Sequence, residues 1–571
     1  MPFLAYRTSR GKKYWSIVES RRIDGKPKHV ILQYLGTADS LLERLTNDDK
    51  YAISSRSHGD TTALLNEANR LDIVNIINKY VPVGPAGKKL KRDGLTVGGS
   101  LLLAAIGRAC HPTSKLGWYD WCKTTSLEYC LKSSFQGLDS QHFWDQMNVL
   151  PEHAIPRIEE EIVSCLLKMY DVQLDTVLYD TSNFFTFIDS ANKHCEIPQR
   201  GKNKQKRYDL RQVGLALLVT RKHQLPLFHK TYEGNKNDYT VFKETLDELS
   251  SRIKTISAEL NDVTLVFDKG NNTKDNFALL ASQSLYYVAG LVPAHFKALI
   301  IEANNCFTPI MINDEEIPVW RTKREIWGEK RTCVVTISKQ LLEGQLRGIQ
   351  QHLTKKYKAL EEFKKQLENP KRTKQFGEDE IQKRLTKAIK GQFIEEILKY
   401  RVFTLDDGGL SFTYYIDHQA FKKLKTAVLG RRILVTNRHE WSSEEIILAY
   451  RGQTKVEYAF RNIKNPYHLA VRPQYHWTDQ KIKVHFLICI IGYLLTMVTY
   501  MKAKEKADYS QNINGFMEDL KQIRLACRIK TKSRKVKYQL ETIPKELKKV
   551  ARILEVTDET IRVPMNISAY I

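Results

Sequence analysis

Two aspartates stand at the ends of runs that read as buried strands. Asp180 closes LDTVLYD and Asp268 closes VTLVFD, both short, β-branched and mostly apolar. A carboxylate in such a place costs solvation energy unless it pairs, caps a turn or holds a cation. On neighbouring strands the two can share a divalent metal. Hard carboxylate oxygens suit Mg2+, which keeps waters or substrate phosphates in its other positions. Taken singly, each has a structural role open to it: Asp180 as cap of the turn TSN, Asp268 as the start of the loop KGNN.

A third acid lies on a helix that begins near Glu444 and carries Tyr450, Gln453, Glu457, Arg461 and Lys464. Seven residues turn an α-helix by nearly two full turns, so Tyr450, Glu457 and Lys464 share a stripe. Gln453 and Arg461 lie a turn to either side of Glu457 on that stripe. A helix that donates a third metal ligand and grips phosphates beside it needs such a row. A solvated, salt-bridged face has the same composition. Glu444 and Glu445 compete with Glu457 for the role. Ser442-Ser443-Glu444-Glu445 reads as a capping box, which gives Glu445 a structural task, and Glu444 suits the positive helix N-terminus.

The elements around these acids follow from periodicity. After LDTVLYD come the strands VGLALLVT and LPLFHKTYE, the helix NDYTVFKETLDELSSRIKTI, and then VTLVFD. Asn235 and Asp238, before that helix, read as turn or cap residues. Residues 1–40 alternate like strands about an Asp24-Gly25 hairpin signal, and 60–170 switch to helical spacing, with Asp60, Thr96 and Pro156 near helix starts. Residues 301–425 interrupt the rhythm. A strand-like stretch is followed by leucines at helical spacing from Leu342 to Leu367, ending at Pro370, and by a second helix from Ile381 to Ile397.

Charge narrows the partner. The 571 residues hold 90 Lys and Arg against 65 Asp and Glu, a formal charge of +25. Such an excess points to a polyanion, nucleic acid foremost. The nine cysteines form no C-x-x-C pair and read as buried thiols in a reducing compartment. No apolar segment follows the N-terminus as in a signal peptide, and the longest apolar run, Phe486 to Met501, is short for a membrane span. A buried helix and a cytoplasmic, nucleoid-associated protein are expected. His468, His476 and His485 lie near the third acid without an accompanying thiolate, which disfavours zinc.

With these residues in hand the chain resembles the DDE transposases of prokaryotic insertion sequences, in the insertion-sequence-four superfamily, branch 1634. Their third acid lies in the signature Y-x2-R-x3-E-x6-K, which Tyr450, Glu457 and Lys464 match; the arginine position is Gln453 here, with Arg451 nearest. The segments YDTSNFFTF, RYDLRQVGLALLVT, LVFDKGNN and VEYAFRNIK carry the same likeness. The resemblance implies an α/β fold: a ribonuclease H-like mixed-sheet catalytic core interrupted by a strand-plus-helix insertion domain, with an N-terminal β-hairpin and helical module. The expected division is a β-rich module at 1–60, a helical end-DNA-binding domain at 61–170, core at 171–300, insertion at 301–425, core with the Glu helix at 426–505, and a basic C-terminal region at 506–571.

The same resemblance implies Asp180, Asp268 and Glu457 as catalytic and metal-binding acids. They would hold two Mg2+ ions, with Mn2+ as substitute, for cleavage at element ends and strand transfer without ATP. The partner is double-stranded DNA, handled by a homodimer, with no membrane role. Tyr450, Arg451, Gln453, Arg461 and Lys464 are the expected DNA contacts beside Glu457. Lys202, Lys204 and Arg207 offer phosphate contacts in the loop QRGKNKQKR, and Trp320 and Trp327 are candidates for stacking on an unpaired base. A nuclease of the same fold without strand transfer, or a non-catalytic DNA-binding derivative, are the other functions open to such a chain.

Overall fold

Five apolar runs between Thr176 and Leu291 form the heart of one sheet in the computed structural model, which describes all residues except 24–25, 47–50, 85–89, 132, 190, 204–205, 260–262, 370–375, 407, 473, 531–535 and 558–571. They are β1 (Thr176–Phe185), β2 (Gln212–Thr220), β3 (Pro226–Glu233), β4 (Thr264–Phe267) and β5 (Tyr286–Leu291). Helix α1 (Asp238–Glu259) joins β3 to β4. β1, β2 and β3 pair antiparallel, whereas β4 runs parallel to β1 and to β5. The spatial order β3-β2-β1-β4-β5 is the ribonuclease H-like arrangement. All nine residues of β2 are buried, as befits a strand covered on both faces.

The sheet continues past β5. β6 (Thr308–Ile312), β7 (Glu315–Ile326) and β8 (Glu329–Ile337) form an antiparallel meander. β9 (Arg431–Thr436) lies between β8 and β5, antiparallel to both, completing nine strands. The first part of the expected insertion therefore extends the core sheet. The remainder has a core of its own, with α2 (Lys339–Leu367), α3 (Glu378–Ile389) and the hairpin Leu398–Thr404/Leu410–Ile416 burying Leu360, Leu367, Ile381, Leu385 and Phe412. The second insert helix stops at Ile389 rather than Ile397, because Phe393 takes a left-handed φ of 65°. Pro370 lies outside the described residues. After β9 come α4 (Ser443–Arg451), α5 (Gln453–Ile463) and the long apolar α6 (Asp479–Ala507).

The chain groups into two compact units, and their boundaries differ from the linear division expected. Among the described residues, one comprises 67–119 and 135–501; the other comprises 1–66, 120–134 and 502–557. In the first, every residue of helix Val97–Cys110 is buried. It meets α6 at Gly492, where an added Cβ would stand 2.7 Å from the Ala105 carbonyl oxygen, so only glycine lets the two backbones approach. α6 is long and apolar enough to cross a membrane, yet 94% of its most apolar 18-residue stretch is buried inside the protein. Helix Ile155–Met169 is tied to the sheet by buried Glu159, which meets His229 Nδ1 on β3 at 2.6 Å and Arg252 on α1 at 3.6 Å. Much of the helical stretch 61–170 thus belongs to the same unit as the core.

In the other unit, strands Pro2–Ser9, Lys12–Ile23 and Lys26–Gly36 form an antiparallel sheet. The expected turn pair Asp24-Gly25 lies outside the described residues, although its flanks pair as Ile23 with Lys26. Strand Tyr51–Ser57 pairs with Arg524–Lys530, which pairs with Val536–Leu540. The basic C-terminal region is therefore part of a sheet with residues 51–57.

Candidate active site

Asp180 sits within β1, not at its end, paired with Leu217 of β2. On its other side the ladder with β4 finishes at Tyr179 and Phe267. Asp268, extended at φ −80° and ψ 162°, follows immediately and so lies beside Asp180 one step past the last rung. Adjacent strands run about 4.8 Å apart, and neighbours in register on parallel strands face the same side. Both aspartates are half-buried. Burial lifts the Asp180 carboxyl to about 7; a bond from the Thr181 backbone opposes this, while the negative charges of Asp268, Asp238 and Glu457 add to it. Three other carboxylates therefore act on Asp180 here.

The helix bearing Glu457 is positioned by its neighbours. Ser442 caps α4, with both capping-box bonds formed: Glu445 N to Ser442 Oγ at 3.1 Å and Ser442 N to Glu445 Oε2 at 2.7 Å. The single helix expected from the sequence is divided at Gly452, where α4 gives way to α5. An added Cβ there would stand 2.8 Å from the Ala449 oxygen. Just before the break, the Tyr450 hydroxyl donates to Asp268 Oδ1 at 3.0 Å. Burial, then the Asp268 carboxylate, raises the Tyr450 pKa, so this group remains a donor. Just after the break, Gln453 Nε2 donates to the carbonyl of Tyr179, the residue before Asp180, at 3.0 Å. Lys464 donates to Ser182 Oγ, with its ammonium 4.9 Å from the centre of the Phe184 ring.

The expected DNA contacts differ in their surroundings. Tyr450 and Gln453 are 9% and 8% exposed and bonded within the protein, with the remaining surface of each on the wall of the acidic cavity. Arg451 pairs with Glu315 Oε2 at 3.2 Å. Glu457 and Arg461 are the exposed members of the row. Lys202 and Arg207 are exposed, Arg207 being held by both oxygens of Asp209 at 2.8 and 2.7 Å; Lys204 lies outside the described residues.

A cavity of about 450 Å³ opens between these elements, lined by Asp268, Glu457, Arg451, Arg432 and Lys339 among others. Arg432, on β9, is half-buried; its guanidinium lies 5.3 Å from the Tyr450 ring, and no acidic partner is found for it among the described residues. Ser338 caps α2 at the same cavity, accepting from Leu341 N at 3.2 Å. Trp327 is not brought here. It occupies the turn at the far end of β7 from Glu315, its ring 4.7 Å from Phe277 and 6.0 Å from Phe296. At about 3.3 Å per residue, the strand puts it some 35–40 Å away. Trp320 lies partway along β7 beneath the Arg324 guanidinium, at 5.8 Å.

Of two further residues at the site, one reads from the sequence as a turn or cap residue and the other has no signal there. Asp238 begins α1 and accepts from Thr181 Oγ1 at 2.7 Å, so it serves the helix start and the acidic group together. Its position before a helix was the available signal. Arg432 lies in RRILVTN, but no spacing links it to Glu457 before the sheet is known. Among the described residues, no three carboxylate, imidazole or thiol groups close on a single point. The donors are nonetheless all hard oxygens, and the Asp180 carboxyl, raised first by burial and then by its acidic neighbours, is one that a cation would hold ionised, so the set fits a divalent metal.

Residues 186–495, more than half of the chain, match the family model of the transposase DDE domain. Residues 5–54 match that of the IS1634 family transposase, N-terminal domain. No curated protein matches the sequence. Among solved structures, the chain is similar to the piggyBac transposase in a synaptic complex with hairpin DNA, at 9% identity and a TM-score of 0.37, over 81% of this chain and 79% of that one. DDE transposases act on DNA with divalent metal ions. On the two family matches, the chain belongs to the IS1634 family of DDE transposases.

Proposed function

We propose that this transposase cuts DNA at the ends of its own element and joins the freed 3′ ends to target DNA, with Asp180, Asp268 and Glu457 as the reacting acids. The observation that carries the reading is the register that sets Asp268 beside Asp180, with the charge of Glu457 felt at the same carboxyl. In the first step water adds to the scissile phosphorus and the 3′ oxygen leaves, taking a proton. In the second, that 3′ hydroxyl adds to a target phosphorus and the displaced target oxygen takes the proton. One phosphodiester replaces another, so no ATP is consumed.

Asp180, Asp268 and Glu457 would hold two divalent cations, Mg2+ with Mn2+ as substitute, whose chemistry is to favour the attacking oxygen and neutralise the leaving one. Tyr450 orients the Asp268 carboxylate through its donated bond, and Gln453 and Lys464 lock α5 against β1 on either side of Asp180. Arg432 and Lys339 bring positive charge into the acidic cavity and take the scissile phosphate there. Arg461, Lys202, Lys204 and Arg207 are backbone contacts further along the DNA. Segment 1–170 recognises element ends, and two protomers act together on a pair of ends.

The test incubates the full chain with Mg2+ and a plasmid carrying the reading frame in its native flanks. Joined products are expected, and they disappear in Asp180→Asn and Glu457→Gln. Nicked DNA without joining would favour a nuclease instead, and no reaction from the wild type would remove both readings.

A further inference from the structure

Two cavities outside the acidic site share Trp144 and Tyr475 as walls. The inner one, about 230 Å³, also presents Phe143, Lys115, Arg108 and His476; the outer, about 480 Å³, adds Trp477 and Lys481. Two of its aromatic walls face solvent: Tyr475 and Trp477 are 55% and 60% exposed. The cations gather on the same rings. Lys115 Nζ lies 5.4 Å and Lys481 Nζ 5.9 Å from the centre of the Trp144 ring. Lys115 bonds to His476 Nε2 at 2.7 Å rather than to an acid, and burial pushes its ammonium down to about 7, so that a phosphate beside it would favour its charged form. Asp145, on the outer cavity, is the one carboxylate among the residues lining either cavity.

The inner cavity also holds unmet hydrogen-bonding capacity. His476 and His485 stack at 4.2 Å and are 3% and 1% exposed, and both line this space. Among the described residues, the Nδ1 atom of each has no hydrogen-bond partner, nor does Arg108 Nε. Buried polar atoms without partners call for a ligand or ordered water. Flat rings, cations without acids and free ring nitrogens together match a base carrying a phosphate. Aromatic platforms beside positive charge are how proteins hold unpaired strands.

We propose that these cavities bind an unpaired nucleotide of DNA, its base against Trp144 and Tyr475 and its phosphate on Lys115 and Lys481. The inference rests on DNA being the substrate, as proposed above. Phe187 N donates to the Gln474 carbonyl at 3.1 Å, which ties this wall to the chain just past β1. Seven residues separate Phe187 from Asp180, roughly 20–25 Å at strand rise. A strand leaving the acidic site can span that gap within a few nucleotides.

The test compares the full chain on a blunt duplex and on the same duplex with a single-stranded tail containing 2-aminopurine, using anisotropy and base fluorescence. The tail is expected to tighten binding about 5- to 100-fold, the range for stacking one base, with quenched fluorescence. Trp144→Ala should remove that gain and the quenching while leaving blunt-duplex affinity unchanged. Tyr475→Ala, at a position 55% exposed where truncation costs little packing, should do the same in part. A wild type that binds both DNAs equally, or variants that keep the gain, would overturn the proposal. So would saturation of the cavity by free dAMP with no effect of the tail. Failure to bind either DNA would instead remove the assignment of DNA as substrate.

Discussion

Replacing Gly290 by alanine sets a local rule against a tertiary contact. Glycine within a strand costs about 0.5–1 kcal/mol relative to alanine, so the local rule expects a gain in stability. Gly290 lies inside β5, between β4 and β9, paired with Leu434. An added Cβ would stand 2.4 Å from the Tyr450 hydroxyl oxygen, 2.8 Å from Cζ and 3.1 Å from Cε2. That ring is buried, has Arg432 over it and is bonded to Asp268, so it cannot yield without releasing the carboxylate. Overpacking costs about 1–3 kcal/mol. A hydrogen bond to a charged group adds about 1.5–3 kcal/mol when lost. Against the small gain, Gly290→Ala is expected to destabilise the protein by about 2–4 kcal/mol in urea melts and to lower metal-dependent cleavage at least about tenfold. Adding Tyr450→Ala removes the obstruction, so alanine at 290 should then cost nothing further, a coupling above about 1 kcal/mol in a double-mutant cycle. A Gly290→Ala protein as stable and active as wild type would refute the placement of Tyr450 over β5 and its hold on Asp268.

Other expectations follow from the same geometry. Glu457→Gln should abolish cleavage while DNA binding persists, whereas Glu445→Gln should cost about 1 kcal/mol or less and spare the chemistry, since glutamine still accepts the capping bond and only the charge is lost; equal loss from both would undo the assignment. Arg432→Gln should cut the cleavage rate about 10²–10³-fold with little change in affinity, and Arg432→Lys should restore part of it, as read in single-turnover assays. His58, fully buried between Ser126 and Thr62, is pushed down to about 4 by burial. Below its unfolded value near 6.5 the unfolded chain binds the proton more readily, so stability is full above that pH and falls by about 3 kcal/mol as pH drops toward 4. His58→Gln should flatten this part of the melting-temperature profile, and an unchanged slope would remove His58 as its source.

Local chemistry was legible where it is written in adjacent residues. The strands that carry Asp180 and lead to Asp268, the capping box at Ser442 and Glu445, and the buried apolar helix near Phe486 all follow from propensity and periodicity, whereas the continuation of β1 past Asp180 to Phe185 does not. What escaped depends on pairing between distant segments. No pattern in TPIMI or EKRTCVVTI says that these strands join the core sheet, because the link is β9, about a hundred residues later. The pairing of Tyr51–Ser57 with Arg524–Lys530 spans nearly the whole chain. Helical periodicity does not mark Gly452; packing against the Ala449 carbonyl and Arg221 gives it its role. Gln453 departs from the signature arginine, and only the Tyr179 carbonyl explains what an amide does there.

The placement of β9 also sets an order of events during synthesis. β5, with the sequence YYVAGL, emerges from the ribosome about 140 residues before the strand that covers its open side. At about 5–20 residues per second, that apolar edge waits roughly 10–30 s. An uncovered strand edge of this kind recruits other chains. The nascent protein therefore has a window in which it needs shielding by chaperones, and slower translation through the insert lengthens it. Glu457 emerges only after that window closes, so the four carboxylates first meet on a sheet that is already complete.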